Sequence, residues 1–140
     1  MMSHCHRFRV IFGDTDMAGV VYYGNYLRYF EAGRAELLRA SGLAYKEAIQ
    51  ARGLTLPVVE AQVRYLAPAR YDDELTLETT VEEVRAASFR ISYRLMREAD
   101  GTLIATGETT HACVDPNGRP ARLPPEIPAR FRDEKTKGIS

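Results

Sequence analysis

The spacing of hydrophobic positions changes twice along the chain, from alternation at residues 7–13 to helical spacing and then back to alternation. From Tyr22 to Ala40, apolar or small side chains recur at spacings of three and four, with Arg and Glu between them. This spacing predicts one long amphipathic helix. Ser41 and Gly42 end it, because glycine readily adopts the left-handed conformation that follows a helix. Residues 45–52, closed by Gly53, are typical of a short second helix.

Five segments alternate between apolar and polar residues, as half-buried strands do. The first covers residues 7–13, and four more follow the helices, at residues 58–66, 74–84, 89–95 and 102–114. Asp100-Gly101 is a favoured hairpin turn before the last strand, which Gly107 is expected to bulge or thin. Because their connections are short, the last four strands should form an antiparallel meander.

This order predicts an α+β fold in which a five-stranded antiparallel sheet wraps around one long central helix. We expect a single domain at residues 7–128, a frayed N-terminus at residues 1–6 and a flexible tail at residues 129–140. Gly33 and its alanine neighbours would let the sheet approach the helix closely. An open sheet leaves unpaired strand edges, which edge-to-edge dimerisation would cover.

Composition fits one ordinary globular domain, with 140 residues, 45% hydrophobic and 27% charged. Nineteen basic and nineteen acidic residues cancel, which argues against a nucleic-acid partner. No stretch approaches the roughly 18 apolar residues of a membrane span, and the N-terminus lacks the apolar run of a signal peptide. Cys5 and Cys113 are too few for a disulfide framework. We therefore expect a cytoplasmic protein with no membrane span.

Candidate chemistry is concentrated between the first strand and the long helix, in the loop GDTDMAGVVYYGNY from Gly13 to Tyr26. Its two acids, Asp14 and Asp16, could simply form turns. A calcium loop would need a ligand at Ala18 and a glutamate where Asn25 stands, and a phosphatase DxDx[TV] signature also fails at Ala18. Serine-hydrolase, P-loop and dinucleotide motifs are absent. Any catalysis must therefore use a carboxylate.

Other reactive residue types have simpler explanations. His4, Cys5 and His6 are consecutive and cannot easily close a tetrahedral site, so no metal is expected. His111 and Cys113 share one face of the last strand, where core packing is the default and a metal pair or pocket lining are alternatives. Five arginines on the wet face of the sheet should stay solvated unless they meet an anionic ligand: Arg64, Arg85, Arg90, Arg94 and Arg97.

The segment RVIFGDTDMAGVVYYGNYLRYFEAGR resembles the signature of the 4-hydroxybenzoyl-CoA thioesterases and the Tol-Pal-associated acyl-CoA thioesterases, which have the hotdog fold. The resemblance continues in YDDELTLE and spans roughly residues 7–125. It implies a hotdog fold and the hydrolysis of an acyl-CoA thioester to free carboxylic acid and CoA, with no cofactor and no metal.

The resemblance also implies roles for particular residues. Asp16, the second acid of the D-x-D element, would be catalytic as nucleophile or general base, and Asp14 structural. The backbone N–H of Tyr23 would polarise the thioester carbonyl at the start of the helix, where unsatisfied donors carry partial positive charge. Substrate-binding positions implied in the same way are Gly19, Val20, Val21, Gly24, Tyr26, Glu31, Arg85 and Ser88.

Glu31 and Arg85 differ from the other implied positions. Glu31 could instead pair with Arg28 or Arg34 on its own helix. Some relatives place a basic cluster for the CoA phosphates between the third and fourth strands, and residues 84–88 keep Arg85 alone.

The resemblance further implies a homodimer, or a homotetramer built as a dimer of dimers, whose pockets combine helix and loop of one subunit with sheet of another. A non-catalytic acyl-CoA-binding hotdog protein is one alternative. A hotdog hydratase is another, although it would need a histidine on the helix segment, which has none. The acyl preference stays open, since Tyr22, Tyr23 and Tyr26 suit aromatic groups but tyrosines also fill cores.

Overall fold

One long helix and a six-stranded sheet dominate the computed structural model, which describes residues 1–133 and 137–139. The strands are β1 (Ser3–Arg9), β2 (Val58–Tyr65), β3 (Glu74–Val84), β4 (Ser88–Arg97), β5 (Leu103–Ala112) and β6 (Lys137–Ile139), and the helices are α1 (Asn25–Ala40), α2 (Tyr45–Ala48) and α3 (Glu126–Phe131). Five strands pair antiparallel, and the long helix packs on the sheet. The predicted α+β hotdog fold is confirmed.

Helix α1 lies closest to β1 and β3, and its fully buried Phe30 reaches β4 and β5. Close approach depends on two glycines. A Cβ on Gly33 would lie 2.5 Å from Leu77 Cδ2, and a Cβ on Gly107 would lie 2.5 Å from Phe30 Cε2. The Phe30 ring also stacks on Tyr93 at a centroid distance of 4.1 Å. Gly107 therefore thins β5 without bulging it, since it stays in register with both neighbouring strands.

The strand order β2-β5-β4-β3-β1-β6 corrects the predicted meander of four strands. β3, β4 and β5 form the meander, but β2 pairs with β5 and not with β3. The physical reason is that β1 occupies the other edge of β3, with Ser3 opposite Thr80, so the free edge left for β2 is that of β5.

The N-terminal strand starts and ends four residues earlier than predicted. Residues 3–6, expected to fray, pair with β3 instead. β3 is eleven residues long, so it offers backbone partners to the residues before residue 7 as well. Met2 is fully buried, and its N–H donates to Phe131 O at 2.8 Å. Residues 12–14, expected to continue the strand, form a 3-10 turn instead.

The packed core also continues past residue 128, the predicted end of the domain. In α3, Ile127 and Phe131 are buried, and Phe131 contacts the ring of Phe89 at 5.2 Å. The backbone of β6 pairs in parallel with β1. The rest of the predicted flexible tail, residues 134–136 and 140, lies outside the described residues.

The opposite edge of the sheet is uncovered. β2 is exposed along its length except at half-buried Val63, because the backbone of α1 lies closest to β1 and β3, at the other side of the sheet. Val59 and Tyr65 are 60% and 50% exposed. Across the described ranges, none of the helices combines the length and the apolar character needed to traverse a bilayer.

Candidate active site

Asp14 fixes the loop of residues 13–24, here called the aspartate loop, to the start of α1. Its side chain is buried, and the Tyr29 hydroxyl donates to its Oδ2 at 2.8 Å. Its carbonyl oxygen accepts from the Tyr22 N–H at 3.0 Å and from Asn25 Nδ2 at 2.8 Å. Burial, together with the hydrogen bond to Asp14, raises the pKa of the Tyr29 phenol. These contacts give Asp14 a structural role and identify Asn25 and Tyr29 as supporting residues, which the sequence analysis missed.

Asp16 begins a tight turn at the tip of the aspartate loop. The Gly19 N–H donates to Asp16 O at 2.9 Å, and Gly19 has φ +82, a conformation that favours glycine. The Ala18 N–H donates to Asp16 Oδ1 at 2.9 Å. The carboxylate is exposed, and its Oδ2 accepts no hydrogen bond from residues 1–133 or 137–139. Asp16 is thus a turn former that still presents one free carboxylate oxygen.

The start of α1 presents free backbone donors. The helix begins at Asn25, so Tyr22, predicted to be helical, precedes it. The Asn25 N–H donates to Tyr22 O and the Tyr26 N–H to Tyr23 O, while the N–H groups of Tyr23 and Gly24 have no acceptor within the described chain. Two adjacent donors therefore lie at the positive end of a 16-residue helix.

Tyr22 lies between the carboxylate and the helix start. A side-chain hydrogen bond to Tyr23 raises the pKa of the Tyr22 phenol, and the nearby charge of Asp16 adds to this rise. The two tyrosine rings have a centroid distance of 4.6 Å. The Tyr65 hydroxyl donates to Tyr23 O at 3.2 Å. The aspartate loop, the start of α1 and the C-terminal end of β2 therefore meet at one place.

The remaining predicted residues of this region lie in the same cluster. Val21 is buried, and its N–H donates to Ala69 O at 2.8 Å. Tyr26 is buried with its ring 5.1 Å from that of Tyr65. A Cβ on Gly24 would lie 2.9 Å from the Tyr22 ring. Half-buried Val20 accepts from the Asp16 N–H through its carbonyl.

Glu31, Arg85 and Ser88 lie elsewhere in a single chain. Glu31 is exposed at a cavity of about 790 Å³ between α1, α2 and the sheet, here called the helix-end cavity. In the part of the chain described, it makes no ion pair with Arg28 or Arg34. Arg85 pairs with Glu83 in the turn between β3 and β4, and its N–H donates to Ser88 O at 2.8 Å.

A hydrogen-bonded chain, here called the arginine network, joins two residues that line the helix-end cavity, Arg34 and His111. Arg34 Nη1 donates to Tyr93 Oη at 3.1 Å, Tyr93 Oη lies 2.6 Å from Thr109 Oγ1, and Thr109 Oγ1 lies 2.8 Å from His111 Nε2. Leu56 O, which can only accept, faces His111 Nδ1 at 3.4 Å, so the neutral ring carries its proton on Nδ1 and Nε2 accepts. Thr109 therefore donates to His111, and Tyr93 donates to Thr109.

The arginine network holds one cation among neutral groups. Burial, with a further contribution from the charge of Arg34, lowers the pKa of His111 to about 4, so the ring is neutral at pH 7. Burial raises the pKa of Tyr93. Throughout the described residues, no carboxylate oxygen lies within 4 Å of the Arg34 guanidinium. The sequence signal for this network was the presence of Thr109 and His111 at inward positions of β5.

The predicted core packing of His111 is found together with pocket lining. Its ring stacks on Phe89 at 4.9 Å, and it also lines the helix-end cavity. The arginines expected to be solvated mostly have partners. Arg90 pairs with Glu108 at 2.6 Å, and Arg97, which is 19% exposed, pairs with Asp73 at 3.2 Å.

Comparison with known proteins gives consistent matches. The model of the thioesterase-like superfamily matches residues 10–131. The acyl-CoA thioester hydrolase YbgC of Escherichia coli O6:H1 is 36% identical over 125 residues, 89% of this chain and 92% of that protein. The 1,4-dihydroxy-2-naphthoyl-CoA thioesterase of Synechocystis superposes with TM-score 0.89 and 27% identity over 95% of this chain and 98% of the other. An aspartate-to-asparagine mutant of 4-hydroxybenzoyl-CoA thioesterase, in complex with 4-hydroxybenzoyl-CoA, superposes with TM-score 0.83 and 27% identity over 92% and 98%.

Proposed function

Because the chain belongs to the thioesterase-like superfamily, we propose that it is an acyl-CoA thioesterase, which hydrolyses an acyl-CoA thioester to a free carboxylic acid and CoA. The names of its relatives support this reaction. The main support for the proposal is the pair of N–H donors at Tyr23 and Gly24, which have no acceptor in the described chain. Tyr22 lies next to them, and the nearby charge of Asp16 contributes to the raised pKa of its phenol. The free oxygen of Asp16 and these donors could flank a thioester carbonyl.

In the proposed reaction, the thioester carbonyl oxygen accepts a hydrogen bond from the Tyr23 N–H, with Gly24 beside it. When the carbonyl carbon is attacked, negative charge develops on that oxygen. Fixed donors at a helix N-terminus stabilise this charge without reorganising, which lowers the barrier.

Asp16 can promote the attack in two ways, as a general base or as a nucleophile. As a general base, its carboxylate takes a proton from water while the water oxygen bonds to the carbonyl carbon. Collapse of the tetrahedral intermediate then breaks the C–S bond, and the proton passes to the CoA sulfur. As a nucleophile, Asp16 forms a mixed anhydride and expels CoA thiolate, and water then hydrolyses the anhydride. Either route gives one carboxylic acid and one CoA.

We propose that the working unit is a homodimer formed through β2, with a dimer of dimers as the larger assembly. Among the described strands, β2 is a sheet edge whose outer backbone groups pair with no other strand, and its exposed apolar side chains include Val58 and Val59. Such edges favour pairing with another strand. Antiparallel pairing about a two-fold axis would extend the sheet across both protomers.

Dimerisation would also complete the site. Val58 and Tyr65 are at opposite ends of the eight-residue β2, about 23 Å apart at ~3.3 Å per residue. A two-fold axis at the strand centre brings the partner's Tyr65, and with it the partner's aspartate loop, to the Val58 end. Val58 pairs with His111 in β5, and Ser88 lies opposite Ala112 at the same end. Glu31, Arg85 and Ser88 would thus lie on the side of the sheet that the partner's aspartate loop approaches.

Replacement of Asp16 tests the catalytic role. Asp16→Asn should reduce thiol release from a panel of acyl-CoA esters by several orders of magnitude, because the amide is neither a base nor a nucleophile. Asp100→Asn is a matched control. Asp100 Oδ1 accepts from the Thr102 N–H at 3.0 Å, as Asp16 Oδ1 accepts from Ala18. The control should keep wild-type turnover, and equal activity of Asp16→Asn and wild type would refute the assignment.

The same assay separates the rival function. A non-catalytic acyl-CoA-binding protein would bind the esters in a calorimeter and release no thiol from any of them. Binding without turnover by the wild-type protein would therefore replace the proposed hydrolase with a binding role.

A further inference from the structure

The helix-end cavity has walls suited to an acyl chain. Most of its inner lining consists of apolar side chains: Leu37, Leu38, Leu43, Leu56, Phe89 and Ile91. Its volume of about 790 Å³ is in the range of small-molecule sites. Apolar walls of this kind bind hydrocarbon by removing it from water.

Arg34 is the feature of this cavity that apolar packing does not explain. It is half-buried on α1, and one of its N–H groups is held by Tyr93 Oη. The network behind Tyr93 fixes the orientation of the guanidinium, because Tyr93 and Thr109 are themselves buried and hydrogen-bonded. A fixed, partly desolvated cation without a carboxylate is a favourable site for an anion.

The other charged groups of the cavity do not supply that anion. Arg39 pairs with Glu36, while Lys46 and Glu47 are exposed on α2. Glu31 precedes Arg34 by three positions but makes no ion pair with it in the described part of the chain. Within the described residues, the arginine network therefore places a half-buried guanidinium with no ion-paired carboxylate beside apolar walls.

We infer that the helix-end cavity holds the acyl group of the substrate and that Arg34 binds a carboxylate at the end of that group remote from the thioester. The preferred substrates would then be CoA monothioesters of dicarboxylic acids. This inference rests on the proposed function, and it names the substrate class of that site. The phosphates of CoA fit the cavity less well, because its apolar walls would strip them of water without replacing their hydrogen bonds.

Matched pairs of substrates test the inference. Succinyl-CoA, adipyl-CoA and suberyl-CoA would be compared with butyryl-CoA, hexanoyl-CoA and octanoyl-CoA, the neutral esters of equal chain length. For at least one length, the wild-type protein should favour the diacid ester by on the order of tenfold or more in kcat/KM, since charge-assisted hydrogen bonds of a guanidinium discriminate strongly. Equal kcat/KM values at every length would overturn the inference.

Variants locate the preference at Arg34. Arg34→Gln should abolish the diacid preference, and Arg34→Lys should retain part of it. Arg94→Gln is a matched control, because Arg94 follows Tyr93 in β4 but is exposed, with its side chain near Glu78. The control should keep the full preference. If Arg34→Gln keeps it too, Arg34 does not bind the carboxylate.

Three further outcomes distinguish a failure of this inference from a failure of the proposed function. If the wild-type protein hydrolyses the neutral esters through Asp16 without favouring diacids, the proposed function stands and the inference fails. If it hydrolyses none of the six esters but releases thiol from an aromatic ester such as 4-hydroxybenzoyl-CoA, the inference alone fails. If it releases thiol from no ester at all, both fail. Gel filtration of Arg34→Gln gives an independent check, because a dimer that dissociates would assign Arg34 to subunit contact instead of substrate binding.

Discussion

Asp14 and Asp16 show how two identical side chains, two positions apart, acquire different roles. Asp14 is 7% exposed and hydrogen-bonded to Tyr29, so it anchors the aspartate loop. Asp16 is exposed at a turn whose backbone it also stabilises. The two acids belong to different turns, since Asp14 ends the 3-10 turn of residues 12–14 and Asp16 begins the turn closed by Gly19, and this difference leaves only Asp16 exposed.

His111 predicts how stability depends on pH. Its folded-state pKa of about 4 is below the ordinary value of 6.5, so the unfolded chain binds this proton more readily. The contribution of His111 to the free energy of unfolding is therefore fully present above pH 6.5. It is lost as the pH drops toward 4, by about 3 kcal/mol at most. Urea unfolding between pH 7 and 4 should show this loss, and His111→Gln should show a smaller slope in that window.

Comparing the wild-type protein with His111→Gln removes the contributions of other titrating groups to the pH dependence. Burial also lowers the pKa of His4, which adds a slope of the same sign to both. An unchanged slope in His111→Gln would show that His111 is not the titrating group. The substitution does not have to break the hydrogen bond from Thr109, because glutamine can still accept it.

At the scale of elements, the approach of α1 to the sheet depends on Gly33. In an isolated helix, Gly33→Ala would stabilise by about 1 kcal/mol through helix propensity. Here the added Cβ would lie 2.5 Å from Leu77 Cδ2 and 2.7 Å from Thr79 Oγ1, both on fully buried residues. Overpacking should reverse the sign, so we expect a loss of about 1–3 kcal/mol in the free energy of unfolding.

Gly13→Ala is the control for this substitution. A Cβ on Gly13 would meet no atom of the described residues within 4 Å, so its effect on the free energy of unfolding should stay within about 0.5 kcal/mol. Thermal or urea unfolding of the two variants measures both changes. A stabilised Gly33→Ala would mean that helix and sheet are farther apart than the structure places them.

Local patterns predicted elements well because each pattern reports the burial of its own segment. The alternation in β4 correctly placed Phe89, Ile91 and Tyr93 inward, and Gly42 and Gly53, both with positive φ, ended helical segments as expected. Pairing partners were harder to predict. Whether β2 joins β3 or β5 depends on where β1 pairs, a contact about 70 residues away in sequence.

The candidate site divides along the same line. The aspartate loop and helix start are contiguous in sequence, so their residues could be named from one motif. The arginine network joins Arg34 to Tyr93 across 59 positions, and no local period indicates such a contact. The inward polar residues on β5 could be identified from the sequence, but their connection to Arg34 depends on how helix and sheet pack together.

At the scale of the whole molecule, the two halves of the proposed site lie at opposite ends of β2 in a single chain. The aspartate loop lies near Tyr65, while the helix-end cavity lies near Leu56 and His111. A monomer would hold the carboxylate and the acyl cavity apart. Pairing of β2 with its copy would unite loop and cavity from different protomers, so each dimer would contain two composite sites.

Mixing two inactive variants tests this composite site. Asp16→Asn removes the carboxylate but leaves the cavity open, whereas Ala35→Trp fills the cavity, which Ala35 lines, and leaves the loop intact. A heterodimer of the two would contain one site with both halves intact and one with both halves defective. After refolding an equal mixture, random pairing should restore about a quarter of wild-type thiol release. Each variant mixed with itself should remain inactive, and a mixture that stays inactive while forming heterodimers would mean that each chain supplies both halves of its own site.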